Sequence, residues 1–312
     1  MKVYRSLEAY KSGKNPVATI GTYDGVHQGH RKILQRLIDA ARAIDGESVV
    51  TSFHPHPRLV LYPEDNPLRL LHTLDERISA MEDMGIDKLL LIPFTRDFSR
   101  TTSHQFIEKI LVQTVGIKRI IIGYDHHFGK NRTGGLKELR SGSAIYNYEV
   151  EEIPAAHIDN AAVSSTKIRK ALLAGEVAIA NRYLGYTYEV SGQVVEGEKL
   201  GRTIGYPTAN VLPEDRYKLI PAEGVYLAQI LVEGNIHYGM LNIGHKPTIG
   251  NFPLGLEINI FDFDQDLYGK RVTLRFLEWI REDLKFEGIE PLKAAIAQDK
   301  QACLALLAAN KY

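Results

Sequence analysis

The sequence predicts an α/β unit built on a parallel sheet, followed by a six-stranded β-barrel and a terminal helix. Three observations predict it. Over the first half of the 312 residues, short apolar runs alternate with helix-spaced segments, which implies right-handed crossovers and a parallel sheet. From Tyr188 onward, six strand-like runs are divided by Gly, Asn, Asp and Pro clusters, the spacing of a small closed barrel. The stretch Pro291–Leu307 then returns to helical spacing.

In the first half, Val17–Thr22, Ser48–Phe53, Lys88–Ile92 and Arg119–Gly123 read as strands, with a weaker one at Tyr146–Ile153. Between them, His30–Ile44, Leu74–Met84 and Ser103–Val115 have helical spacing, and Thr73-Leu74-Asp75-Glu76 has the form of a capping box. The character changes near Asn181–Tyr186, so the reading places the domains at 1–184 and 185–312. The barrel strands are expected at Tyr188–Val195, Tyr206–Val211, Gly224–Leu231, Ile236–Ile243, Leu256–Phe261 and Val272–Phe276.

Lys+Arg and Asp+Glu are 38 each, so the net charge is zero. This disfavours a dedicated nucleic-acid or anionic-membrane binder. A single cysteine, Cys303, allows no internal disulfide and fits a reducing compartment. Met1–Lys14 is polar and mixed, and no apolar run approaches the ~20 residues of a membrane span. A soluble cytoplasmic protein is expected, with its oligomeric state open.

Parallel sheets bind ligands beyond the carboxyl ends of their strands, so the loops there are the candidates. Gly21-Thr22-Tyr23-Asp24-Gly25-Val26-His27-Gln28-Gly29-His30 lies where the first strand turns into a helix. Glycines let backbone approach a phosphate, the helix start attracts anions, and imidazole donors suit a leaving pyrophosphate. Two ordinary surface histidines in a Gly-rich turn explain the string equally well. Zinc is a third reading, without further ligands at zinc spacing. Ser164-Ser165-Thr166-Lys167-Ile168-Arg169 opens another helix with capping hydroxyls and basic residues. Alone it reads as a capped, solvated helix; paired with the first element it becomes a triphosphate clamp. The loops Phe53-His54-Pro55-His56-Pro57 and Gly123-Tyr124-Asp125-His126-His127-Phe128-Gly129-Lys130-Asn131-Arg132 hold aromatics able to flank a planar ring.

In the second half, Gly201-Arg202-Thr203-Ile204-Gly205-Tyr206-Pro207-Thr208-Ala209-Asn210 puts a hydroxyl and an amide oxygen at a strand entry. Both are hard ligands suited to Mg²⁺, or equally the caps of a tight turn. Glu257 alternates with Ile258 and Ile260 and shares a face with Asn259. It is either a general base beside a hydroxyl or an outward polar strand residue.

Taken together, Gly-Thr-Tyr-Asp-Gly-Val-His-Gln-Gly-His, Pro-His-Pro, Gly-Tyr-Asp…Phe-Gly and Ser-Ser-Thr-Lys-Ile-Arg resemble the adenylyltransferase half of the prokaryotic bifunctional riboflavin kinase/FAD synthetases. Gly-Arg-Thr-Ile-Gly-Tyr-Pro-Thr-Ala-Asn, Gly224-Val225-Tyr226, Asn242-Ile243-Gly244…Pro247-Thr248 and Leu256-Glu257 through Leu267-Tyr268-Gly269 are similar to the same family's kinase module. The resemblance implies a Rossmann-like nucleotidyltransferase domain and a riboflavin kinase barrel. It implies two ATP-dependent, Mg²⁺-requiring reactions: riboflavin to FMN, then FMN to FAD and pyrophosphate.

It further implies Glu257 as base toward the ribityl hydroxyl. Thr208 and Asn210 would hold Mg²⁺ and phosphates, and Gly201 and Arg202 would lie in a closing loop. His27 and His30 would act on the phosphates, with Gly21, Asp24, Gly25, Ser164, Thr166 and Arg169 around ATP. Pro55, His56, Pro57, Asp125 and Phe128 would lie near flavin or adenine. His127 departs from the Arg that many relatives carry there, so a phosphate contact at that point would depend on pH. A single activity, or a non-catalytic flavin-binding regulator, are the alternatives.

Overall fold

The computed structural model describes residues 1–63, 68–124, 126–154, 157–158, 161–197, 200–245 and 254–309. The candidates Asp125, Pro247 and Thr248 lie outside them. Contacts divide the chain into two compact units, Met1–Ser165 and Thr166–Tyr312.

In the first unit β1 (Lys2–Tyr4), β2 (Val17–Ile20), β3 (Ser48–His54), β4 (Lys88–Pro93), β5 (Arg119–Gly123) and β6 (Glu149–Ile153) form one sheet in the order β1-β4-β3-β2-β5-β6. Every pairing in it is parallel. The chain runs outward from β2 through β3 and β4, then resumes on the other side at β5. That reversal opens a crevice at the carboxyl ends of β2 and β5, the usual ligand position of such sheets.

Alternate strand residues feed opposite faces. Ala18, Ile20, Leu90, Ile92, Ile120 and Ile122 pack with Phe106, Ile110 and Leu111. Val17, Val50, Leu89, Leu91 and Ile121 pack with Leu34, Leu37, Ile38 and Met81. Burial on both faces is what makes these strands continuous apolar runs rather than alternating ones.

The helices on this sheet are α1 (Gln28–Ala43), α2 (Pro57–Leu61), α3 (Leu74–Asp83), α4 (Ser103–Gln105) and α5 (Leu136–Tyr146). The expected capping box of α3 is present: Glu76 N–H donates to Thr73 Oγ1 at 3.2 Å and Thr73 N–H to Glu76 Oε2 at 2.8 Å. The helix expected at Ser103–Val115 begins as α4 and continues over Phe106–Val115 as a π-helix. The edge strand β1 and helix α5 were not legible in the sequence. β1 is three residues long and none of them is fully buried. Among α5's residues only Leu139 and Gly142 are buried, too few for a helical stripe. The run Tyr146–Ile153 therefore splits into the end of α5 and β6.

A two-stranded ribbon, β7 (His157–Ile158) and β8 (Ala161–Ala162), precedes α6 (Ser165–Leu173) and α7 (Val177–Leu184). The second unit is then built on β9 (Glu189–Val195), α8 (Leu200–Thr203), β10 (Ala209–Pro213), β11 (Gly224–Val232), β12 (Asn235–His245), β13 (Leu254–Ile260), β14 (Arg271–Arg281) and α9 (Ile289–Ala308). Its six strands close into a barrel in the order β10-β13-β12-β11-β14-β9. Tyr226, Ile230, Leu241, Ile258, Leu274 and Phe276, all fully buried, belong to its interior. A small barrel's interior is filled by its own side chains, so a helix as long as α9, 20 residues, packs on the outside. It covers a second apolar layer in which Val225, Leu227, Met240 and Leu277 meet Cys303.

Candidate active sites

In the first unit the predicted turn between β2 and α1 carries left-handed backbone at Tyr23, Gly25 and Val26. Gly21 is needed there, because a Cβ would fall 2.8 Å from the Tyr23 ring. His27 caps α1, its Nδ1 accepting the His30 N–H at 3.3 Å. With Nδ1 an acceptor, the ring's proton sits on Nε2. The His27 and His30 rings stack at 3.6 Å and 16°. The edge of Tyr23 supports His30 at 5.0 Å, and the Tyr23 hydroxyl pairs with Thr19 Oγ1 at 2.7 Å. Burial pushes the Tyr23 phenol up, so it stays neutral. The first turn of α1 contains no acidic residue, which leaves its positive dipole end uncompensated.

Asp24 is buried. Its carboxylate accepts the N–H groups of Leu71 at 3.0 and 3.2 Å and of His72 at 3.0 Å. Its carbonyl accepts the Ser165 hydroxyl at 3.0 Å, which draws the start of α6 to the histidine turn. Asp24, read from the sequence as an ATP contact, thus ties backbone segments together. Ser164 is half-buried beside Ser165; on α6, Thr166 is exposed and Arg169 half-buried.

At the end of β3, Pro55 is exposed, His56 caps α2 by accepting the Arg58 N–H at 3.2 Å, and Pro57 is its first residue. Phe128 is only 5% exposed and packs 5.5 Å from Phe106. It backs its loop rather than lining open space. His126 stacks on it at 5.9 Å. The His126 Nε2 is buried without a hydrogen-bond partner among the described residues, and burial lowers the ring's pKa to about 4, with His127 and Arg132 adding to the shift. His127 is exposed. Among the described residues no group of three His, Cys, Asp or Glu could hold a metal ion.

Sequence reasoning missed Arg77. It is buried on α3 and donates to the carbonyls of Thr22 at 2.5 Å and Phe53 at 3.3 Å. Its signal was present: an arginine inside the stripe Leu74, Ile78, Met81, where a solvated residue has no place.

In the second unit Glu257 stands directly opposite Asn210 on β10 and Asn242 on β12. The row continues through Val225 to Arg281. Directly opposed side chains lie about 5 Å apart. Glu257 faces away from the interior residues Leu256 and Ile258, toward the side covered by α9. A cavity of about 280 Å³ lies there, lined by Glu257, Asn242, Thr208, Gly201 and Arg281 with the apolar Leu284, Phe286, Leu292 and Ile296. These last residues were not legible, because they become neighbours only when α9 crosses the barrel.

Thr208 just precedes β10 rather than lying within it. At Gly201 a Cβ would meet Tyr206 O at 2.3 Å and Thr208 Oγ1 at 3.4 Å, so only glycine lets the α8 turn approach so closely. Arg202 is exposed. Asn210 is 6% exposed, and its Oδ1 has no hydrogen-bond partner among the described residues. An orphaned amide oxygen two positions along the chain from a threonine hydroxyl has the donor chemistry of a hard divalent-cation site such as one for Mg²⁺. Arg281 and Asp299 line the same cavity and pair through two hydrogen bonds of 2.8 and 2.7 Å.

Each half matches a family of its own. The FAD synthetase family pattern matches residues 10–167, and the riboflavin kinase pattern matches residues 184–307. The chain is 36% identical to the bifunctional riboflavin kinase/FMN adenylyltransferase of Pseudomonas fluorescens, covering 95% of this chain and 94% of that one. The chain belongs to the bifunctional riboflavin kinase/FMN adenylyltransferase family. Family members from Escherichia coli K12 and Bacillus subtilis 168 are 35% and 33% identical, over 91% and 92% of this chain and 90% and 91% of theirs. A crystal structure described as a macrolide-efflux protein from Streptococcus pneumoniae superposes with a TM-score of 0.88 at 30% identity, covering 97% of this chain and 98% of that one. Among the described residues no helix is long and apolar enough to cross a membrane. This family member is an enzyme with both an FMN adenylyltransferase and a riboflavin kinase domain, and ATP serves both activities.

Proposed function

We propose that riboflavin is phosphorylated on the outer face of the barrel and that FMN is adenylylated above the parallel sheet. The row Asn210–Glu257–Asn242, of which Glu257 and Asn242 line the cavity, carries this reading. It places a carboxylate between two amides, with an apolar wall for a flavin ring on one side and phosphate-handling groups on the other. Glu257 takes the proton from the ribityl hydroxyl as that oxygen bonds to the γ-phosphorus of ATP and ADP departs. Thr208 and Asn210 hold Mg²⁺, which when bound neutralises phosphate charge. Gly201 and Arg202 lie in the turn that covers the nucleotide and excludes water.

In the other reaction the FMN phosphate attacks the α-phosphorus of ATP and pyrophosphate leaves, so no protein nucleophile is required. Orientation and charge stabilisation supply the rate. His27 and His30, at the start of α1, hold the triphosphate and the departing pyrophosphate. Gly21 and Gly25 admit the phosphates, and Ser164, Thr166 and Arg169 complete the clamp. Pro55, His56, Pro57 and Asp125 contact flavin or adenine, and Phe128 supports them. The functional boundary falls between Leu184 and Gly185, and the reactions take place in the cytoplasm.

A chromatographic time course with riboflavin, ATP and Mg²⁺ tests the scheme. Transient FMN followed by FAD is the expected result. FMN alone confines turnover to the barrel, and no product with flavin still bound overturns the scheme.

A further inference from the structure

We propose that Arg77 is a positioning residue for adenylyl transfer, setting the distance between the histidine turn and the Pro-His-Pro loop. The inference rests on the adenylyl-transfer site proposed above. Arg77 lies on α3, is 6% exposed, and donates to no side chain of either proposed substrate loop. Its guanidinium instead holds one backbone carbonyl from each: Thr22 O at 2.5 Å, just after β2, and Phe53 O at 3.3 Å, near the end of β3. β2 and β3 are neighbours in the sheet, and both loops leave from their carboxyl ends.

A guanidinium is planar and presents its donors in a fixed fork, so two carbonyls bound to one fork have a fixed separation. The third nitrogen, Nε, is buried and has no partner among the described residues, so the group's bonding goes to these two carbonyls. Burial lowers the Arg77 pKa, and the nearby Asp24 carboxylate opposes that shift. Its own bonds reach Leu71, His72 and, through its carbonyl, Ser165. One buried cation and one buried carboxylate therefore tie together four backbone segments: the turn before α1, the end of β3, the approach to α3, and the start of α6.

The consequence is specific to a reaction between two bound substrates. FMN on one loop and ATP on the other must meet with the phosphate oxygen in line with the α-phosphorus. A misplacement of about 1 Å costs about 10²-fold in rate while leaving each substrate's own contacts in place.

The test is Arg77→Lys in the full chain, which keeps the charge and loses the fork. Expected is a fall in adenylyl-transfer kcat of about 10²-fold. Equilibrium affinities for FMN and for ATP should each stay within about threefold, and the rate of FMN formation from riboflavin should be unchanged. Unaltered kcat overturns the proposal. So does a loss of both affinities together with a lower urea midpoint of the first unit, which is the signature of a merely structural residue. Because Arg77→Met removes the charge as well and strains folding, the lysine variant decides. His30→Ala is run alongside: if it leaves FAD formation from FMN intact, the site itself is misassigned and the proposal falls with it. A defect in His30→Ala without one in Arg77→Lys refutes the positioning role alone.

Discussion

Replacing Asp299 by alanine removes the bidentate pair that fastens α9 to β14. The two bonds, Arg281 Nε to Oδ1 at 2.8 Å and Nη2 to Oδ2 at 2.7 Å, are short and charge-assisted. The Asp299 side chain is 6% exposed and that of Arg281 23%. Removing one partner of a buried pair costs about 3–5 kcal/mol, because the other charge stays behind. Arg281 keeps part of its hydration and its 2.8 Å bond to the Glu282 carbonyl, so we take the lower end, about 3 kcal/mol. At roughly 3–4 °C per kcal/mol for a unit of this size, its melting midpoint should fall by about 10 °C. The assay is built into the chain: its one tryptophan, Trp279, lies on β14 within the second unit. Tryptophan fluorescence therefore follows the kinase unit alone. Leu292 and Ile296 of α9 line the cavity, so the KM for riboflavin should rise while adenylylation of supplied FMN is unaffected. An unchanged Trp279 transition would refute the reasoning and leave apolar packing as the sole anchor of α9.

Glu257→Gln should slow FMN formation by about 10²–10⁴-fold, the usual cost of a lost general base, and leave FAD synthesis from FMN intact; normal riboflavin phosphorylation rules out the base. Asn210→Ala should raise the Mg²⁺ concentration that half-saturates the kinase by at least about tenfold, read from a Mg²⁺ titration of FMN formation. An unaltered requirement moves the metal elsewhere. For His126 the sign follows from burial, which lowers its pKa from 6.5 to about 4. As pH falls from 6.5 toward 4 the unfolded chain takes up a proton that the folded chain refuses, so stability of the first unit declines across that window. His126→Gln should flatten this decline in urea midpoints measured at pH 7 and pH 5, and identical slopes would exclude His126 as the cause.

The sequence by itself determined the two architectures and the family to which the two halves belong. Strands buried on both faces must be largely apolar runs, as Val17–Ile20 and Arg119–Gly123 are, and the tight turns at Gly21 and Gly201 leave no room for a Cβ. Such constraints are local, so they are written locally. Only the tertiary structure decided which distant groups meet. Glu257 lies 47 positions from Asn210 in the chain, and only the strand order β10-β13-β12 sets it between Asn210 and Asn242. The apolar wall of the cavity exists because α9 crosses the outside of the barrel, and nothing in the period of Pro291–Leu307 says where it lands. Asp24 and Arg77 show the same divide. The family motif suggests an ATP contact at Asp24 and says nothing of Arg77, while the structure shows both buried and holding backbone groups of other segments. A charge's role depends on what surrounds it, and that is settled by packing between segments far apart in the chain.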